Sequence, residues 1–154
     1  MEIEKKFLVK ELPANLYDYK CSLINQGYIS TTPVIRIRQT DNAYYLTIKS
    51  KGLISREEYE IEISESEYLS LLSKVTNNII TKNRYYIPFY PYTIELDIFS
   101  GLLEGLIVAE VEFSSLDEAN AFLPPSWFGK EVSSDSRYHN SSLCKIQSFS
   151  SLDL

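Results

Sequence analysis

Glycine is scarce in this chain of 154 residues, with five in all, and none of them falls into GxxxxGKS/T or GxGxxG. The two commonest backbone cradles for nucleotide phosphates are thereby excluded, since both need glycines that let main-chain amides close around the anion. Cysteine is nearly absent too: Cys21 and Cys144 lie far apart, form no CxxC, and are joined by a single histidine, His139. That inventory argues against a zinc site and against a disulfide framework, and it makes a reducing, cytoplasmic setting the expected one. No run of 18 apolar residues occurs, and charges at Glu2, Glu4, Lys5 and Lys6 replace the apolar segment of a signal peptide, so a soluble, unprocessed protein is expected. Positive charge is the minority sign, with 15 Lys and Arg against 21 Asp and Glu and a net charge of −6. Such a balance disfavours nucleic acid and anionic membranes as partners, and any anionic ligand must be met by a local cluster of cations.

What the chain does have is alternation. Apolar residues alternate with charged or polar ones over 2–9, 34–40, 43–51, 55–63, 79–87, 92–99 and 106–113, and a weaker strand is expected over 27–31, giving eight strands. Asp41-Asn42 suits a tight hairpin, and Gly101 and Gly105 bracket a longer turn. Helical spacing is read over 15–24, 65–75, 115–122 and 135–148, with Ser115 and Glu118 at capping-box distance. The expected class is α+β, one domain over 1–154, with a polar Ser-rich tail fraying over 148–154.

Side chains two apart on a strand share a face. On that rule one face of the sheet carries Glu2, Glu4 and Lys6; Arg36 and Arg38; Lys49 and Lys51; Glu58, Glu60 and Glu62; Lys82 and Arg84; Glu95 and Asp97; Glu110 and Glu112. The other face is Ile, Leu, Val, Tyr and Phe, and should lie under the helices. The ordinary reading of any one charged pair is a solvated face laced with salt bridges. Yet most of these pairs have like sign at about 7 Å, repelling by about 0.6 kcal/mol in water and about 2.4 kcal/mol at an effective dielectric near 20. A sheet this long tends to close on itself, which removes its edges and turns the charged face into a lumen. Clustered cations there favour an oligoanion, and clustered carboxylates favour hard divalent cations. A triphosphate carried with Mg²⁺ or Mn²⁺ satisfies both.

This ordered set resembles the CYTH superfamily, the triphosphate tunnel metalloenzymes, over nearly the whole chain. Glu2-x-Glu4-x-Lys6 matches the family's ExExK signature on the first strand, and Arg36-x-Arg38, Lys49, the strand from Glu58 to Glu62, Lys82-x-Arg84, Glu95-x-Asp97 and Glu110-x-Glu112 follow in the family's order. The resemblance implies a closed or nearly closed eight-stranded antiparallel β-barrel, a tunnel with helices packed on its outside. It implies metal-dependent hydrolysis of inorganic tripolyphosphate or a related triphosphate, nucleoside or thiamine triphosphate included. Lys6, Arg36, Arg38, Lys49, Lys82 and Arg84 would grip phosphate oxygens. Glu110 and Glu112 would hold the metal, Glu2 and Glu4 would place a second metal or polarise the attacking water with help from Glu60, and Glu95 and Asp97 join the metal-facing carboxylates. The segment "SSDSRYHNSSL" resembles the family's approach to its closing helix, with Ser136 where relatives often carry Lys; Arg137 is a phosphate contact by resemblance and a helix-start surface charge by its residues alone. Lys51, Glu58 and Glu62 are expected near the tunnel mouth.

Two other activities stay open at this level: class IV adenylyl cyclase chemistry, forming cyclic AMP from ATP with the same charges, and a non-catalytic polyphosphate or nucleotide-binding module. A homodimer is left open. His139 reads as a surface or helix-packing residue, Trp127 as a packing anchor, and the aromatic run "RYYIPFYPY" as core rather than as a base-stacking platform.

Overall fold

The computed structural model describes residues 1–146, so the 148–154 tail lies outside the described residues. Six of the alternating segments form strands within a few residues of their expected bounds: β1 (Glu2–Val9), β3 (Val34–Thr40), β4 (Ala43–Lys49), β7 (Ile80–Phe89), β8 (Tyr92–Phe99) and β9 (Ile107–Glu112). The weak strand expected at 27–31 is the C-terminal end of a twelve-residue strand, β2 (Lys20–Thr31). That corrects the helix expected over 15–24, of which a single 3-10 turn, Leu16–Asp18, remains. Apolar residues near Pro13 mimic helical spacing, but from Lys20 onward the backbone pairs with β3 on one side and β7 on the other, and that two-sided pairing overrides local preference.

The segment 55–63 breaks at Glu57 into β5 (Ser55–Arg56) and β6 (Glu58–Ile63), and a further strand, β10 (Phe128–Glu131), follows the Pro124-Pro125 turn. The barrel therefore has ten strands among the described residues rather than the eight expected. Their order is β10-β1-β9-β8-β7-β2-β3-β4-β6, all neighbours antiparallel, with β5 pairing β1. This pairing closes the barrel. Strand β1 has β9 along one side, and on its other side β5 meets Glu2 and Ile3 while β10 meets Phe7 and Val9. Because β5 leads into β6, residues 54–58 carry the open edge across to β1, where the Glu4 amide also donates to the Ile54 carbonyl at 3.0 Å.

Helices are shorter than the spacing suggests: α1 (Glu65–Leu72), α2 (Leu116–Ala121) and α3 (Asn140–Leu143), the last preceded by a 3-10 turn over Ser136–Tyr138. Helix α1 starts at a full capping box between Ser64 and Glu67, and α2 at the Ser115 cap. Two apolar clusters flank the sheet. Outside β1, β8 and β9, a cluster containing Phe7, Leu96, Val111, Phe113 and Phe128 packs beneath α2 and Phe122. At one end of the barrel Tyr28, Phe99 and Val108 meet Tyr138, Leu143 and Cys144 of the C-terminal turn and helix, plugging that end. One part of the outer face stays uncovered: α1 packs over β3 and β4, leaving Tyr59 68% and Ile61 59% exposed on the edge strand β6.

Leu96 stands between Glu95 and Asp97 and is fully buried on the outer face, so it anchors the wall that carries both carboxylates. Leu96→Ala should lower the unfolding free energy by about 2–5 kcal/mol, the cost of a cavity in such a core, as read from urea denaturation midpoints.

Candidate active site

Strand alternation brings the charged residues of β1, β3, β4, β7, β8 and β9 into one lumen. Lys6, Arg36, Lys49, Arg84 and Glu110 are buried there, although four of the five are cations in an acidic protein. The register sets close pairs across the wall: Glu4 lies opposite Glu112, Lys6 opposite Glu110, and Arg84 opposite Asp97.

The cations divide by whether a carboxylate already holds them. Arg84 is fully engaged: Nε and Nη2 donate to the two Asp97 oxygens at 2.8 and 2.9 Å, and Nη1 to Glu95 at 3.0 Å. Lys82 is wholly buried, pairs with Asp97 at 2.8 Å, and has the Phe99 ring 5.3 Å away. Burial, with Arg84 and Arg38 nearby, weakens its hold on its proton, and Asp97 opposes that. Lys49 donates to both oxygens of Glu2 at 2.9 and 3.0 Å, while Lys6 donates to the Tyr138 carbonyl at 3.2 Å and lies 3.7 Å from Glu110.

Arg38 and, less completely, Arg36 differ, Arg36 facing one carboxylate, that of Glu60, at 3.6 Å. Arg38 meets no carboxylate among the described residues; Nε and Nη2 share the Gln26 amide oxygen at 3.0 and 2.8 Å. Burial and the charges of Arg36 and Arg84 press its pKa down to about 10. Arg36 donates from Nη2 to the Thr47 hydroxyl at 3.1 Å, and its buried Nε has no acceptor among the described residues. Two neighbouring guanidiniums with unspent donors make an anion site in want of an anion.

The carboxylates divide in the same way. Asp97 is held below the usual carboxylate range by Arg84 and Lys82 in spite of burial, Glu110 likewise by Lys6 and Arg84, and Glu2 by Lys49. Glu95 is raised by burial although Arg84 opposes this. Glu4 and Glu112 accept no hydrogen bond and enter no ion pair among the described residues. Burial, followed by the charges of Glu110 and Glu2, pushes Glu4 up to about 8, and burial with Glu2 raises Glu112.

Several expected residues lie elsewhere. Arg137 is half exposed and bonds to Asp135, which caps the 3-10 turn before α3; the structure does not bring it into the lumen. Lys82 and Asp97 stand behind the lumen lining, spent on each other and on Arg84. Glu60 lies at an exposed rim, where it accepts from Thr47 at 3.0 Å and faces Arg36 at 3.6 Å. Arg56, Gln26 and Asn140 were not anticipated. Arg56 continues the alternation of Glu58, Glu60 and Glu62 backwards by two, and Gln26 shares a face with Ser22 and Ile24, so the signal was there once β2 and β5 are read as strands. Arg56 Nε lies 3.4 Å from Glu2, and Asn140 Oδ1 accepts from Lys82 at 3.4 Å.

No three His, Cys, Asp or Glu side chains among the described residues form a ready ligand cage. A magnesium-like ion does not need one, because it takes one or two carboxylates and completes its shell with water and substrate phosphates. Glu4 and Glu112, unpartnered, hard-oxygen and directly opposed, fit that requirement; the proton affinity of Glu4 is the mark of negative charge awaiting a cation.

The CYTH domain family matches residues 1–149. An inorganic triphosphatase of Nitrosomonas europaea is 42% identical over 147 residues, covering 92% of this chain and 95% of the relative. One of Acetivibrio thermocellus is 41% identical over 150 residues, covering 94% and 93%. The crystal structure of the inorganic triphosphatase NE1496 superposes with a TM-score of 0.72 at 37% identity over 96% of this chain and 97% of that one. A plant protein from Hippeastrum, described as a putative adenylyl cyclase with a dominant triphosphatase activity, shares the fold at a TM-score of 0.58 and 16% identity over 79% and 83%.

The raised pKa of Glu4 fixes a stability test. Between the unfolded value of 4.5 and about 8 the folded state binds the extra proton, so stability falls as pH rises through that window. In metal-free buffer Glu4→Gln should match wild type near pH 5 and exceed it at pH 9 by on the order of 2 kcal/mol, discounted for water in the lumen, as read from denaturation midpoints at the two pH values.

Proposed function

Because this chain belongs to the CYTH domain family, we propose that it is a triphosphatase that hydrolyses inorganic tripolyphosphate or a related triphosphate inside its β-tunnel, with Mg²⁺ or Mn²⁺ as cofactor. The observation that carries the reading is the pairing of unspent groups of both signs in one enclosed space: Arg36 and Arg38 on one wall, Glu4 and Glu112 on another. The names of the relatives at 41–42% identity favour hydrolysis over cyclase chemistry. No described helix is long and apolar enough to cross a membrane.

The reaction adds water to the terminal phosphorus and breaks its bond to the bridging oxygen, releasing orthophosphate and pyrophosphate. Such a transfer passes through a loose transition state and asks mainly for positioning and charge neutralisation. Arg36 and Arg38 grip non-bridging oxygens, and Lys6 and Lys49 add point charges beside them. Glu110 and Glu2 keep those two ammonium groups aimed, and Asp97 does the same for Arg84, so these three carboxylates act as positioning residues. Glu60 holds Thr47 and through it Arg36. Glu4 and Glu112 would hold the divalent cation, which when bound would neutralise phosphate charge and polarise the oxygens it shares. Exclusion of bulk water by the plug and the closed wall strengthens each of these interactions.

Purified protein with Mg²⁺ or Mn²⁺ should release phosphate from tripolyphosphate, and tripolyphosphate with metal should raise the melting temperature by mass action. Arg38→Ala should lose most of that thermal shift. Glu112→Gln should lose about two to four orders of magnitude in turnover while still binding tripolyphosphate. Absence of phosphate release by wild type would contradict hydrolysis.

Metal affinity carries its own pH signature. A proton on Glu4 competes with the cation, so apparent Mn²⁺ affinity should climb with pH by up to about tenfold per unit as pH approaches 8 and level off above it. Calorimetric titration of Mn²⁺ at pH 6, 7, 8 and 9 measures this, and Glu4→Gln should flatten the slope.

A further inference from the structure

Beside the plug and the lumen lies a second cavity of about 250 Å³. Val34, Lys49, Arg56 and Ser141 line both spaces, so the two are adjacent and share a wall of side chains. The lining of this side cavity is one-sided in charge: among the described residues it contains Lys49, Lys51 and Arg56 and no carboxylate. The cavity at the opposite mouth is the reverse, with Glu95, Glu112 and Glu118 and no Lys or Arg. In a protein of net charge −6 such a polarity gives an anion one favoured end through which to extend.

Donors there are available. Arg56 points Nε at Glu2, 3.4 Å away, and its two terminal nitrogens donate no hydrogen bond among the described residues. Lys51 is exposed on the loop after β4 and likewise has no carboxylate partner among them. His139, at the start of α3, is half-buried in the same lining. Its imidazole is depressed to about 4 by burial and then by Lys6, Arg56 and Lys49, from β1, β5 and β4, with Glu110 of β9 opposing. A neutral ring facing cations gains a proton readily once an anion stands between them.

We propose that this side cavity is an outer phosphate subsite, in which Lys51, Arg56 and His139 take the terminal phosphate of an inorganic chain longer than three units whose inner phosphates lie in the tunnel. The inference rests on the triphosphatase reading and goes beyond it, since it assigns a further binding site and a preference for chain length. Linear tetraphosphate then spans the tunnel and the subsite, whereas tripolyphosphate fills the tunnel alone. Orthophosphate by itself, lacking the inner units, has little hold on the subsite.

The test measures kcat and KM for linear tetraphosphate and tripolyphosphate with wild type, Lys51→Ala, His139→Gln and the double variant. The expected result is a tetraphosphate KM raised about five- to tenfold in the double variant, with kcat and the tripolyphosphate KM within about twofold of wild type. His139 is the only histidine, so its ring resonances give a second reading. Its pKa should rise on adding metal-bound tetraphosphate to wild type and stay near its starting value with tripolyphosphate or orthophosphate. Equal losses on both substrates, no loss on either, or a ring that answers all three anions alike would overturn the subsite. If wild type releases no phosphate from tripolyphosphate, the triphosphatase reading falls and takes the subsite with it; if it does and the chain-length difference is missing, the subsite alone falls.

Discussion

The ion pair between Lys49 of β4 and Glu2 of β1 spans the seam on which the tunnel depends. Nine strands pair in one continuous path, but the path does not close by itself; near the start of β1 its far side meets the Ser55–Arg56 ladder of β5 and, through the Glu4 amide, the Ile54 carbonyl. Two residues of ladder make a weak closure. Lys49 reinforces it by donating to both Glu2 oxygens, and Arg56 adds a third contact to the same carboxylate. With the seam shut the pair is largely shielded from solvent, which strengthens the attraction and raises the cost of losing either partner. The charges that line the lumen thus help to build the enclosure that makes them effective.

Enclosure forces a division of labour among the charged side chains. Buried ions must be paired or leave a large penalty, and Asp97 with Arg84 and Lys82, Glu110 with Lys6, and Glu2 with Lys49 meet that demand within the protein. What remains is a short set that the protein does not neutralise: the buried Nε of Arg36, the charge of Arg38, which meets an amide oxygen but no carboxylate among the described residues, and the carboxylates of Glu4 and Glu112. These are the groups through which a metal-bound polyanion would be held. The paired residues fix their geometry, so a site of high charge density is preorganised without being neutralised.

The charged face of the barrel was legible because a period of two is the strongest signal a strand can give, and because Glu2, Glu4 and Lys6 repeat it without interruption. Lengths and breaks were not. Strand β2 hides in a segment whose apolar spacing near Pro13 imitates a helix, and only its pairing on both sides makes it a strand. The break at Glu57, which frees Arg56 to cross the seam, is marked only by a charge where the alternation calls for an apolar residue, Arg56, Glu57 and Glu58 being three charges in a row. Nor could spacing tell which charges would be spent on one another: Asp97 and Glu112 look equivalent in sequence, yet one is locked by two cations and the other faces open lumen. The same holds for Arg137, whose neighbour Asp135, two residues away, claims it before the tunnel can.

On the proposed function, metal and triphosphate would meet in the lumen between the unspent carboxylates and the unspent guanidiniums. Anomalous scattering from crystals grown with Mn²⁺ and a non-hydrolysable imido analogue of tripolyphosphate tests this directly. The predicted result is a manganese peak about 2.0–2.3 Å from carboxylate oxygens of Glu4 and Glu112, with analogue oxygens completing its shell and reaching Arg36 and Arg38. Manganese bound only at the acidic outer mouth, or an analogue lying outside the lumen, would contradict it.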